Sequence, residues 1–116
     1  MEPVYLELFN NKEDLINEFR LKKNELDNIN ILFAVYEYAN WSGTAFVLFE
    51  QDGELYEVNG DHCSCYGLEG QWIPEKASFD ELKHRLDKGE MGKHQGYDVF
   101  KRELKEYMEK NWPEIQ

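Results

Sequence analysis

The chain reads as an α+β domain, a three- or four-stranded antiparallel meander with helices packed on one face, in the order α-β-β-β-(β)-α-α. Three observations point there. Apolar residues recur at helical spacing in Leu15, Ile16, Phe19 and Leu26; aromatic and β-branched runs divided by turn residues follow; and helical spacing returns after Pro74. The 116 residues suit one domain built on one core, so 1–116 is read as a single α+β unit.

The first helix is expected from about Lys12 to Leu26. Asparagines at its start can cap it, and Glu13 and Asp14 put acids in its first turn. Ahead of it, "VYLELF" is a short strand or an extended lead-in whose Phe9 packs against the helix start.

Three strand-like runs make up "INILFAVYEYANWSGTAFVLFEQDGELYEVNG". "NWSG" joins the first pair and "QDGE" the second, with Asp52-Gly53 a favoured two-residue hairpin turn. In the middle run Ala45, Val47 and Phe49 alternate with Thr44, Phe46, Leu48 and Glu50. Both faces are therefore largely apolar, as in a central strand. "QWIP" is a fourth, short strand that Pro74 ends.

Beyond it, Ser78 with Glu81 forms a capping box, Phe79, Leu82 and Leu86 form a stripe, and Gly89 closes the second helix. "GEMGKHQG" is a loop. The last helix presents Phe100, Leu104, Tyr107 and Met108 on one face and ends at Trp112 and Pro113.

Net charge is -11, and its distribution says more than its sum. Between Lys23 and Lys76 there is no lysine or arginine, while Glu25, Asp27, Glu37, Glu50, Asp52, Glu54, Glu57, Asp61, Glu69 and Glu75 all fall in that gap. Such a field repels nucleic acid and anionic membranes, both of which need basic groups to release counterions. No apolar run approaches the roughly 20 residues of a membrane span, and the N-terminus lacks the basic and apolar regions of a signal peptide. The expected compartment is the cytosol.

The most unusual stretch is "GDHCSCYGLEGQW", residues 60–72, which holds both cysteines. His62, Cys63 and Cys65 are zinc-type ligands within four residues, but no second cysteine pair completes a structural site. An extended backbone also points His62 away from the cysteines, so chelation needs a turn. A nucleophilic cysteine is opposed by Asp61 and Glu69, since nearby negative charge raises a thiol pKa. No carboxylate spacing singles out an acid and a base, so glycosidase-like chemistry is unsupported. The competing reading is a tightly shaped loop: Gly60, Gly67 and Gly70 open backbone angles that other residues avoid, and Tyr66, Leu68 and Trp72 anchor it to the sheet. The glycines lack the lysine and following helix of a phosphate loop. A nucleotide or small-molecule site built on this loop and Trp72 is the weakest reading.

The words "AFVLFE", "DG-LYEV-G" and "HCSCYGLEGQW", followed by Pro74-Glu75, resemble a small family of uncharacterised proteins encoded mainly in bacteriophage and prophage genomes. About a quarter of the chain carries the resemblance. It implies a phage accessory setting and no particular reaction.

The expectation is a non-catalytic module that engages or inhibits a host or phage protein bearing a basic surface. Trp41, Glu50, Asp52, Glu54, Glu57, Asp61, Tyr66 and Trp72 are its candidate contacts. No cofactor is expected. The alternative is a small zinc protein using His62, Cys63 and Cys65. An exposed sheet edge would allow a homodimer.

Overall fold

The computed structural model describes residues 3–39, 42–63, 67–88, 93–94, 97–98 and 100–111. The chain divides into two compact units, Met1–Lys76 and Ala77–Gln116.

The first unit runs β1 (Val4–Glu7), α1 (Lys12–Phe19), β2 (Asn30–Ala39), β3 (Ser42–Gln51), β4 (Glu54–Cys63) and β5 (Glu75–Lys76). Its strands form one sheet in the order β1-β2-β3-β4-β5. This confirms the α+β class and the central position of β3, whose two faces are both buried over Ala45–Phe49. The sheet is mixed rather than a pure meander. β1 pairs parallel to β2, Val4 with Phe33 through Glu7 with Tyr36, and α1 makes the crossover that a parallel pair needs.

Helix α1 is shorter than its apolar spacing implies. Asn11 caps it by accepting from the Asp14 N–H at 3.0 Å, and the Asp14 carboxylate accepts from the Asn10 N–H at 2.8 Å. It ends at Phe19 because Arg20 turns left-handed, φ 58° and ψ 49°, so that the Arg20 and Leu21 N–H groups both reach the Ile16 carbonyl. Leu26 continues the apolar series but lies in the turns that follow, still buried.

The β3–β4 turn has the predicted form. Asp52 and Gly53 both take positive φ, 54° and 79°, the combination that matches the twist of a two-residue hairpin. "QWIP" is not a strand. The paired residues are Glu75 and Lys76, after Pro74, opposite Glu57 and Tyr56.

One face of the sheet carries the main core, in which Phe9, Leu15, Phe19 and Leu26 pack on Ala34, Tyr36, Val47, Phe49 and Val58. Burial of such side chains contributes about 1.5–3 kcal/mol each. On the opposite face Phe33, Val35, Phe46 and Leu48 are buried as well, the Phe33 and Phe46 rings 6.3 Å apart.

The second unit holds α2 (Phe79–Asp87), a small antiparallel hairpin of β6 (Lys93–His94) and β7 (Tyr97–Asp98), and α3 (Lys101–Asn111). Ser78 caps α2, accepting from the Glu81 N–H at 3.2 Å. The hairpin lies where a plain loop was expected, because Lys93 and His94 pair with Asp98 and Tyr97. Gly89, Trp112 and Pro113 fall outside the described residues. Leu82 and Leu86 of α2 are buried, as are Phe100 and, on α3, Leu104, Tyr107 and Met108, the predicted face. Asp87 bonds Lys83 and Lys105 at 3.4 and 3.5 Å, and Lys83 foremost lowers its carboxyl pKa.

Candidate binding cleft and acidic surface

Strand β4 delivers the unusual segment to the edge of the sheet, and Gln71 then holds it there. The Gln71 Oε1 accepts from the Asp61 N–H at 2.8 Å, while Nε2 donates to the carbonyls of Asp61 and Gly67 at 2.7 Å each. A side-chain amide thus takes the place of a neighbouring strand at this point of β4. Leu68 then inserts into the core, and Trp72 stacks on Phe49 at 5.7 Å and meets the Phe19 ring edge-on at 5.1 Å.

The three glycines play different parts. Only Gly70 has positive φ, 81°. At Gly60 the constraint is contact, since a Cβ there would meet Leu68 Cδ2 at 3.1 Å, Gln71 Oε1 at 3.4 Å and Phe19 Cε1 at 3.6 Å. Gly67 has neither constraint. The expectation that all three supply unusual backbone angles is corrected accordingly.

Between this loop and the end of α1 lies an open cleft of about 630 Å³, within the usual range of small-molecule sites. Glu18, Arg20 and Leu21 line it from α1 and its cap, and Leu68 and Glu69 line it from the loop. At its base the Tyr36 Oη and His62 Nδ1 are 2.7 Å apart, the phenol buried and the imidazole half-buried. A buried phenol hydroxyl needs such a partner, and His62 provides it. Arg20 and Gln71 leave no signal of their roles in the sequence.

The predicted contacts do not form one patch. Glu50, Asp52 and Glu54 are exposed at the β3–β4 turn, and Asp61 is exposed near the other end of β4, a separation of roughly 20–25 Å for extended chain. Glu57 is 5% exposed and is withdrawn as an open contact; its strand position puts it on the buried face with Leu48, its β3 partner. Trp72 is half-buried among Phe19 and Phe49, so its ring serves packing. Trp41, Tyr66 and Cys65 lie outside the described residues, as does the Cys63 side chain. β4 remains extended through Cys63.

At the turn, Lys76 Nζ sits 2.9 Å from Glu54 Oε2, and the Tyr56 hydroxyl donates to the same oxygen at 3.1 Å. Lys76 first and Tyr56 second hold the Glu54 carboxyl below its ordinary pKa, and the carboxylate raises both Lys76 and Tyr56. Among the described residues no three His, Cys, Asp or Glu side chains gather as a metal site, and no helix is long and apolar enough to cross a membrane. No protein-family model, curated protein or solved structure matches the chain.

Proposed function

We propose that this chain is a non-catalytic protein-binding module, of the phage or prophage accessory kind that its cysteine segment resembles, and that it engages or inhibits a partner with a basic surface. The observation that carries this reading is the imbalance of exposed charge. Glu50, Asp52, Glu54, Asp61, Glu69 and Glu75 are all exposed, and the only lysine or arginine from position 24 to 76 is Lys76, which Glu54 occupies. Because the carboxylates stand at both ends of β4, the partner is an extended basic surface rather than a short basic peptide.

The test is capture of host proteins by the full chain at low salt and again with E50Q, D52N, D61N and E69Q combined. A basic partner that is released by salt and lost by the folded variant is expected. Partners indifferent to both treatments would overturn the reading.

A zinc site at His62, Cys63 and Cys65 is the second reading. Its support is the Tyr36 hydroxyl at His62 Nδ1, the kind of contact that orients a ligating imidazole. Metal content of untagged protein, with a free-thiol count before and after unfolding, decides it. One zinc per chain with protected thiols would favour it, and a C63S, C65S double variant that folds and keeps its partner would remove it.

A further inference from the structure

We propose that the cleft beside α1 binds a small zwitterion, an apolar amino acid or a close relative, with its carboxylate on Arg20, its ammonium group facing Glu18 and Glu69, and its side chain over Ile16 and Leu21.

The walls of the cleft are held in place before any ligand arrives. Gln71 ties Gly67 to Asp61, the residue before His62, and Leu68 is locked into the core. Tyr36 orients the imidazole at the base. A preformed cleft loses little entropy on binding.

Charge identifies the ligand. Among the described residues Arg20 makes no ion pair, although the chain carries a net charge of -11. Its guanidinium suits a carboxylate, which it can hold through two parallel hydrogen bonds. Glu18 and Glu69, also without an ion pair among the described residues, stand on the same rim and disfavour a simple anion. A ligand with one charge of each sign satisfies all three. Ile16 and Leu21, both half-buried, supply the apolar surface for its body.

Arg20 also occupies a position that its backbone does not favour. The left-handed residue closing a helix is usually glycine, and a side chain there is strained. Strain of this kind is retained where the side chain has a use.

The experiment is a titration of the full chain with L-leucine, L-methionine and L-phenylalanine, followed by amide chemical shifts and calorimetry. 3-Phenylpropanoate and 2-phenylethylamine serve as probes lacking one charge each. Saturable shifts at Arg20, Leu21, His62 and Leu68 are expected for at least one amino acid. Deleting either charge from the phenylalanine skeleton should weaken binding at least about tenfold, close to the loss of one good charge-assisted bond. R20G should raise the unfolding midpoint yet remove binding, which separates contact from architecture. The E18Q, E69Q double variant should weaken the amino acids and leave 3-phenylpropanoate unchanged or tighter. The proposal fails if no amino acid shifts these amides up to about 10 mM, near the weak limit of specific binding. It also fails if the singly charged probes match phenylalanine, or if R20G binds as the parent does.

Discussion

The carboxamide of Gln71 closes a ring of two hydrogen bonds with the main chain of Asp61, accepting from its N–H at 2.8 Å and donating to its C=O at 2.7 Å. One side chain thereby stands in for a strand residue and, through a further bond to Gly67, shapes the loop that walls the cleft. Q71A should lower stability by about 1–2 kcal/mol, since these bonds lie near solvent and water can replace them in part. Urea unfolding measures this, and the Asp61 amide should exchange faster. An unchanged midpoint would show that the ring contributes nothing.

The glycines of the same segment should respond in a distinct order. G67A is expected to be neutral, because its Cβ meets nothing within 4 Å. G60A should cost about 1 kcal/mol by crowding the buried Leu68, and G70A a similar amount by forcing a side chain into positive φ. Thermal unfolding of the three variants tests this, and equal losses would contradict it.

Thr44 presents the opposite opportunity. Its hydroxyl oxygen is buried and has no hydrogen-bond partner among the described residues, though β3 gains from a β-branched residue there. T44V retains the shape and removes the orphan oxygen, so it should stabilise the protein by about 1 kcal/mol. A destabilised variant would mean that the hydroxyl has a role in the folded state.

Tyr36 and His62 make a pair whose loss can be read spectroscopically. The contact fixes one tautomer of neutral His62: the proton sits on Nε2 where the phenol donates to Nδ1, and on Nδ1 where the imidazole donates to the phenol oxygen. Y36F should abolish that tautomer preference and cost about 1 kcal/mol. Long-range nitrogen–proton correlation spectra of the two proteins report the tautomer, and identical spectra would refute the assignment.

Glu54 and Lys76 set a pH window for the β4–β5 contact. Because the Glu54 pKa is depressed in the fold, its contribution is present above the unfolded carboxylate pKa and is lost as pH falls through the lower folded value. Because the Lys76 pKa is raised, its contribution is present below the unfolded lysine pKa and is lost as pH rises through the higher folded value. Both groups are well exposed, so the effect on global stability is small. In K76A the titration of the Glu54 carboxyl carbon should move up toward the ordinary glutamate value. No movement would show that Lys76 is not the cause.

Local chemistry made much of this fold legible. The Asp52-Gly53 turn, the Asn11 and Ser78 caps and the two-faced apolar pattern of β3 each follow from one residue's backbone or side-chain preference acting over a few neighbours. The acidic run from 24 to 75 was likewise a property of the sequence by itself. The end of α1 was not, because the apolar spacing continued to Leu26 while Arg20 turned out of the helix. Neither was the parallel pairing of β1, a choice made by the sheet edge it meets rather than by "VYLE". The cleft belongs wholly to tertiary structure. It brings Arg20, Tyr36, His62 and Glu69 together from elements separated by many residues, and Gln71 fixes its wall through bonds to main-chain atoms that are the same at every position. Sequence patterns record which residues prefer which local geometry. Such long-range meetings are decided only when the sheet closes and its buried groups find partners.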